Sequence, residues 1–280
     1  MIAIARLELP AGSVGWGAAR ETYEADGVVC LRGVFEERWL ELLRAGTEQA
    51  LAAPGPHADD NVRPGQSGRN FGDLDLWQRL EPFRRFVFES PAARIAAELM
   101  GATRVNFFYD QLLVKEPGTR ERTPWHQDQP YWAISGWQVC SIWLPLDPVA
   151  RDTCVEYVAG SHRWGRAFNP KHFADGSPYR DTGFEELPDI EAERGHHRIL
   201  TWELSPGDCL VFQAMIVHGA PGNASASRRR RALATRWAGD DARYAPRSGE
   251  TAIPTSDPGL APGALLDSPS FPLIWSTGRA

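Results

Sequence analysis

The chain has 280 residues, of which 42% are hydrophobic and 24% are charged. This composition is typical of an ordinary globular protein with one large domain or two small ones. Lys and Arg number 30 against 36 Asp and Glu, a formal charge of −6, and a mildly acidic chain is a poor candidate for binding nucleic acid or an anionic membrane. No apolar run approaches the ~20 residues of a membrane span, and the N-terminus lacks the basic and apolar regions of a signal peptide.

The four cysteines indicate a reducing compartment. They are scattered along the chain, with no CxxC pair and no dense disulfide spacing; they are Cys30, Cys140, Cys154 and Cys209. We therefore expect reduced and mostly buried thiols, and a cytoplasmic protein.

The first hundred residues favour helices. Residues 19–32 read as a short helix, an Asp26-Gly27 turn and an apolar strand. Residues 35–53 have apolar side chains at helical spacing and predict a second helix, and residues 91–101 predict a third that stops at Gly101. Between them, the Pro-, Gly- and Asp-rich residues 54–72 predict a long loop.

After Gly101 the chain becomes rich in β-branched and aromatic segments that end in Gly, Pro or Asp. Strands that follow helices predict a mainly β fold, a sandwich or barrel with flanking α-helices. We expect one domain over residues 1–280. Its N-terminal helices (1–100) would buttress a β core (101–240), and an irregular tail (241–280) would follow.

The segment WHQDQPYW, residues 125–132, is the strongest chemical signal. His126 and Asp128 are two positions apart, and on a strand this spacing puts both side chains on one face, ~7 Å apart. The best third ligand is His218, at the end of the apolar run CLVFQAMIVH. Two imidazoles and one carboxylate around a metal with open positions is the arrangement of non-haem Fe(II) oxygenases. An HxD pair alone is more often an ordinary surface strand, so the prediction depends on companion features.

An arginine run, residues 228–231, precedes the predicted strand RRALATRW. An arginine that points into a barrel can hold a carboxylate through two parallel hydrogen bonds. Alternation puts Arg228 and Arg230 on one face with Ala232, and Arg229 and Arg231 on the other. At least two of the four arginines are expected to belong to a solvated turn.

Four of the eleven tryptophans fall within nineteen residues around the HxD segment; they are Trp125, Trp132, Trp137 and Trp143. This density predicts either an aromatic pocket for an organic ligand or simply a core, and the two interpretations have equal weight.

These pieces occur in an order that resembles the phytanoyl-CoA dioxygenase family of Fe(II)/2-oxoglutarate oxygenases. The resemblance runs from about residue 21 to 238 and rests on DGVVCLRGVF, YDQLLVKEPG, WHQDQPYW, VEYVAGSHRWG, SPGDCLVFQAMIVHG and RRRRALATRW. It implies a double-stranded β-helix, a jelly-roll (cupin-like) core, and Fe(II), 2-oxoglutarate and dioxygen as cofactor and cosubstrates. It also implies hydroxylation of an unactivated C–H bond in a small organic substrate.

The resemblance assigns roles to six residues of this chain. His126, Asp128 and His218 match the metal ligands, and Arg230 matches the arginine that binds 2-oxoglutarate. A further two match positions around the cosubstrate: Trp143, where an aromatic side chain packs on it, and Gln111, which lines the pocket. The presence of Asp128 implies a hydroxylase and not a halogenase, because related halogenases have a small residue there.

Three alternatives remain at this stage. The first is the same site with a different outcome: desaturation, epimerisation or ring formation. The second is a Zn-dependent hydrolase built from the same His/Asp/His set. The third is a catalytically silent binding module with this fold. The sequence does not reveal the substrate, the carbon attacked or the oligomeric state.

Overall fold

The computed structural model describes residues 15–61, 68–173, 176–223 and 225–278. In these ranges the helices are α1 (Trp16–Asp26), α2 (Glu37–Ala52), α3 (Leu76–Arg79), α4 (Glu81–Glu89) and α5 (Ala92–Met100). The strands are β1 (Val28–Leu31), β2 (Asp59–Asn61), β3 (Asn70–Leu74), β4 (Arg104–Lys115), β5 (Thr123–His126), β6 (Ile134–Ser135), β7 (Val139–Pro145), β8 (Glu156–Val158), β9 (Ile199–Leu200), β10 (Cys209–Gln213), β11 (His218–Ala220), β12 (Arg230–Ala238), β13 (Arg243–Tyr244) and β14 (Leu273–Ser276).

Two antiparallel sheets form the core. The larger sheet has the strand order β1-β10-β7-β12-β4-β3-β2, with β14 beside β4, and the smaller has the order β5-β11-β8-β9. One apolar cluster contains side chains from both sheets, among them Tyr157 of β8, Phe212 of β10 and Ala232 of β12. The two sheets therefore pack face to face, and the predicted mainly β jelly-roll fold is confirmed.

The helices cover the outer face of the larger sheet. Residues of α1, α2, α4 and α5 share one buried cluster with alternate residues of β4, β7 and β12. This arrangement follows from the two-residue period of the strands, which sends Leu112 and Val114 of β4 towards the helices and Leu113 and Lys115 towards the opposite side. The larger sheet is thus buried on both faces.

A β-bulge in β4 interrupts this alternation. Arg236 pairs with Tyr109, but Trp237 pairs with Phe107, so Phe108 is the extra residue. Phe108 and Tyr109 consequently lie in the same inner cluster, with their rings 5.4 Å apart. The bulge adds an aromatic side chain to the interior at this end of the strand.

The predicted N-terminal helices are confirmed, and two predicted irregular regions are partly wrong. α1 ends at Gly27 (φ 81°) and α5 at Gly101 (φ 62°), both in the left-handed region that favours glycine. The predicted loop 54–72 contains β2 and the start of β3, with residues 62–67 outside the described ranges. The predicted irregular tail contains β13 and β14.

The tail forms β14 because part of β4 has an open edge. β3 pairs only with residues 111–115 of the long β4 strand. Residues 104–106 of β4 are therefore available on that side, and they pair with β14. Phe271, just before β14, is buried in the same inner cluster as Phe108.

No helix in the described ranges is long and apolar enough to cross a membrane.

Candidate metal centre and adjoining cavity

His126 and His218 lie directly opposite each other in adjacent strands of the smaller sheet. His126 ends β5, His218 begins β11, and the two are Cα partners in the antiparallel register. Their ring centroids are 4.2 Å apart. The pairing of two strands that are far apart in sequence therefore brings the two imidazoles together.

Asp128 lies beside the two histidines, but its backbone conformation differs from the predicted one. The expectation that one strand carries both His126 and Asp128 is wrong, because β5 ends at His126 and Asp128 has helical backbone angles (φ −74°, ψ −48°) before a 3-10 turn. The backbone N–H of Asp128 donates to the carbonyl oxygen of Ala214, at 3.0 Å. This contact with the chain after β10 holds the turn in place.

One ligand atom from each residue faces a common point. Oδ1 of Asp128 is 3.5 Å from Nε2 of His126 and 3.7 Å from Nε2 of His218, and the three candidate ligand atoms lie within 4.8 Å of one another. This donor set fits the two-histidine, one-carboxylate arrangement that binds ferrous iron.

The remaining polar atoms of the three side chains have protein partners. Nδ1 of His126 lies 2.8 Å from the carbonyl oxygen of Pro124, and Nδ1 of His218 lies 3.0 Å from that of Ile216. A carbonyl can only accept, so each Nδ1 carries the proton and each Nε2 has its lone pair free for a metal. Oδ2 of Asp128 accepts a hydrogen bond from the hydroxyl of Ser141 at 3.0 Å.

The charge states suit metal binding. Burial alone would raise the pKa of the Asp128 carboxyl, but the nearby His218, His126 and Arg236 side chains outweigh it and hold that pKa well below its ordinary value. Burial first, and then the charge of His126, lower the pKa of His218 to about 4. At neutral pH the site therefore has an ionised carboxylate and a neutral His218 imidazole, the form that binds metal.

The three residues border a cavity of about 460 Å³ between the sheets. Its far side has two buried cations, Arg230 on β12 and Lys115 on β4, which are Cα partners. Arg230 donates to the backbone carbonyl oxygens of Thr153 and Pro221. Nζ of Lys115 is 2.7 Å from the carbonyl oxygen of Glu121. Neither cation forms an ion pair with a carboxylate of the described residues, so the pair is suited to an anionic ligand.

Arg230 is the one member of the arginine run that borders this cavity. Arg231 pairs with Asp147 at 2.7 Å, and Arg229 pairs with Glu116 at 2.5 Å, both on the outer face. Arg228 is exposed. The predicted alternation therefore holds along β12, and it places Arg230 in line with Ala232 and Ala234 along the cavity wall.

Trp143 and Gln111 also border the cavity. Trp143 is buried beside Ala234 on the neighbouring strand. Oε1 of Gln111 accepts a hydrogen bond from Arg236 at 2.9 Å. All six residues singled out in the sequence therefore surround one cavity.

The tryptophan cluster divides between pocket and surface. Trp132 and Trp143 border the cavity. Trp125 and Trp137 do not: Nε1 of Trp125 donates to Glu191 at 2.9 Å, and Trp137 is 51% exposed and stacks on His162. The pocket interpretation therefore applies to half of the cluster.

Sequence reasoning missed Lys115, Arg236 and Tyr157, which also border the cavity. The sequence does contain a signal for Arg236. It follows Arg230, Ala232 and Ala234 at two-residue spacing, so it lies on the same face of the strand. Lys115 stands at the end of a predicted strand, where a lysine is ordinarily solvated, and only the pairing with β12 shows that it is buried.

Comparisons with known proteins identify the family and the fold. Residues 23–232 match the family model described as phytanoyl-CoA dioxygenase (PhyH). No curated protein matches the chain significantly. The fold is similar to that of SnoN, a non-haem alpha-ketoglutarate-dependent epimerase from nogalamycin biosynthesis, with 22% identity over 93% of this chain and 98% of that one and a TM-score of 0.70.

Two further structures share the fold. The carbocyclase SnoK, from the same biosynthesis, has 23% identity over 92% of this chain and 96% of that one, with a TM-score of 0.72. EctD from S. alaskensis, with 2-oxoglutarate and 5-hydroxyectoine, has 18% identity over 83% of this chain and 84% of that one, with a TM-score of 0.62.

Proposed function

Because the chain belongs to the phytanoyl-CoA dioxygenase family, we propose that it hydroxylates an unactivated C–H bond of a small organic metabolite, with Fe(II) and 2-oxoglutarate. His126, Asp128 and His218 would hold the iron, which supplies the activation of dioxygen when bound. The observation that carries the proposal is that these three ligand atoms border the same cavity as Arg230 and Lys115, two cations with no ion pair to a described carboxylate.

Arg230 and Lys115 would bind the distal carboxylate of 2-oxoglutarate. The guanidinium offers a planar fork that fits two carboxylate oxygens, and the ammonium adds a second positive charge. Ala232 and Ala234 leave room along the wall between Arg230 and the metal ligands. The cosubstrate would then lie with its keto-acid end at the metal and its distal end at the two cations.

Aromatic side chains surround the rest of the cavity. Trp132, Tyr131 and Phe173 lie on the side of the histidines, and Phe173 is 48% exposed with its ring 4.9 Å from that of His126. An apolar or ring-bearing substrate would pack against the buried rings of Trp132 and Tyr131, cover the exposed ring of Phe173 and exclude water from the metal. Its place beside His126 would put the target carbon close to the reacting centre.

The test is to follow the conversion of 2-oxoglutarate to succinate by the purified protein with ferrous iron, with zinc, and with no metal. We expect turnover with ferrous iron alone, and its loss in Asp128→Ala. Turnover of a hydrolysable substrate with zinc, without consumption of 2-oxoglutarate, would instead establish the hydrolase alternative.

The outcome of the reaction has its own test. Hydroxylation transfers one oxygen atom of ¹⁸O₂ to the product, whereas desaturation, epimerisation and ring formation do not. Mass spectrometry of the product from a substrate found by 2-oxoglutarate consumption therefore separates these outcomes, and we expect a mass gain of one labelled oxygen.

A further inference from the structure

Arg236 is a buried cation that borders the cavity beside the candidate metal ligands, and it has no role in the proposed function. It lies six residues after Arg230 on β12 and faces the same cavity. Six residues of strand span ~20 Å, so the two arginines occupy different ends of that cavity. The side chain of Arg236 is 6% exposed.

The guanidinium of Arg236 is held on three sides. Its Nη1 donates to the carbonyl oxygen of Ala234 at 3.1 Å, and its Nη2 donates to Oε1 of Gln111 at 2.9 Å. Its Cζ lies 4.6 Å from the ring centroid of Tyr109, its strand partner on β4. The remaining donor nitrogen, Nε, is buried, has no hydrogen-bond partner in the part of the chain that the structure describes, and lies 3.9 Å from Oδ2 of Asp128.

Ser141 and Arg236 are neighbours in the larger sheet, and both lie close to Oδ2 of Asp128. They are Cα partners on β7 and β12, and the Ser141 hydroxyl donates to Oδ2 of Asp128. Oδ1 of Asp128 is the oxygen that faces the two histidines. The carboxylate therefore has one oxygen on the metal side and one on the side of Ser141 and Arg236.

We propose that Arg236 is a positioning residue that keeps Oδ2 of Asp128 away from the metal, so that Asp128 coordinates through Oδ1 alone. This inference rests on the proposed function. A carboxylate that bound through both oxygens would occupy a coordination position that the keto acid or dioxygen requires. The hydrogen bond from Ser141 and the positive charge of Arg236 both act on Oδ2, and outer contacts of this kind orient a metal ligand and strengthen metal binding.

A purely structural role for Arg236 is the competing explanation, because its stem and guanidinium also pack on Tyr109. Arg231 supplies a matched control. It is the half-buried arginine of the opposite face of β12, paired with Asp147 and Glu48, and it does not border the cavity. Loss of either arginine should destabilise the fold, but only loss of Arg236 should change the metal site.

The experiment measures metal affinity apart from turnover. Co(II) is titrated into metal-free wild type, Arg236→Gln, Arg236→Lys and Arg231→Gln. The signal is the change in intrinsic tryptophan fluorescence, to which Trp132 and Trp143 beside the cavity contribute, and thermal unfolding is measured in parallel. We expect about 10- to 100-fold weaker Co(II) binding in Arg236→Gln, partial recovery in Arg236→Lys, and wild-type affinity in Arg231→Gln.

The results separate this inference from the proposed function. Equal Co(II) affinity in wild type and Arg236→Gln, or equal weakening in Arg231→Gln, would overturn the positioning role while the metal site stands. Wild-type protein that binds no Co(II), or that binds it as well after His126→Ala, would overturn the proposed function itself and the inference with it.

Discussion

Lys115 of β4 and Arg230 of β12 stand directly opposite each other in adjacent strands, and both side chains point into the cavity. Burial first, and then the charge of Arg230, lower the pKa of Lys115 from its ordinary value to about 7. Two buried cations side by side are unfavourable unless an anion joins them. The pairing therefore favours an anionic group such as a carboxylate between the two side chains.

Replacing Arg230 should strongly weaken the binding of 2-oxoglutarate. Loss of a buried, charge-assisted contact costs about 2–5 kcal/mol, or some 30-fold or more in apparent affinity. We expect Arg230→Ala to raise the apparent KM for 2-oxoglutarate by at least that factor in steady-state kinetics. Arg228→Ala, Arg229→Ala and Arg231→Ala should each leave it within a few-fold of wild type. A larger effect at Arg229 or Arg231 would show that the opposite face of β12 binds the cosubstrate.

The affinity for 2-oxoglutarate should fall as the pH rises above about 7. The free protein loses the proton of Lys115 near pH 7, whereas a bound carboxylate favours the protonated form, so binding takes up a proton above that pH. By linkage, affinity then falls by up to about tenfold per pH unit. Anaerobic binding titrations between pH 6.5 and 9 measure this slope. Lys115→Met should bind more weakly, and the part of the slope that Lys115 causes should disappear; an unchanged slope would exclude Lys115 as its source.

Asp128→Ala should remove turnover and not merely slow it. The substitution deletes the one charged ligand and leaves Ser141 and Arg236 facing an empty position. We expect no hydroxylation above background and a strongly reduced iron content after reconstitution, both measured against wild type. The small side chain also makes room for a halide ion beside the metal, which bromide K-edge spectroscopy of the reconstituted variant can detect. Unchanged hydroxylation in this variant would show that the carboxylate is not a ligand.

Asp110 should matter for stability but not for metal binding. Its carboxyl group lies on the outer side of β4 and accepts hydrogen bonds from the backbone N–H groups of Leu76 (2.7 Å) and Trp77 (3.0 Å) at the start of α3. Asp110→Ala leaves these buried donors unpaired, so we expect a loss of about 1–3 kcal/mol in the free energy of unfolding. Urea denaturation measures it, and Co(II) titration of the same variant should match wild type.

Local patterns predicted the parts of the structure that depend on neighbouring residues. Helical spacing and glycine stops located α2 and α5, and two-residue alternation put Arg230 on the inner face of β12. The same alternation extends to Arg236, six residues beyond Arg230 on the same face of β12.

Contacts between distant segments explain the rest. Asp128 leaves the strand and is held by Ala214, 86 residues later, so the spacing of His126 and Asp128 led to the correct grouping for the wrong local reason. Lys115 is buried because β12 pairs with β4. The bulge at Phe108 depends on the register of those same strands, which the order of residues within β4 does not reveal.

The two sheets divide the candidate site between them. Both histidines belong to the smaller sheet, whereas Lys115, Arg230 and Trp143 belong to the larger. A metal ion with a dicarboxylate that reaches Arg230 would therefore act as a non-covalent cross-link through the middle of the sandwich. Each ligand that binds only the folded protein adds about 2.7 kcal/mol at a concentration of 100 Kd. Bound metal and dicarboxylate would then fix the spacing of the two sheets. They would also make the smaller sheet more resistant to local unfolding than it is in the ligand-free protein.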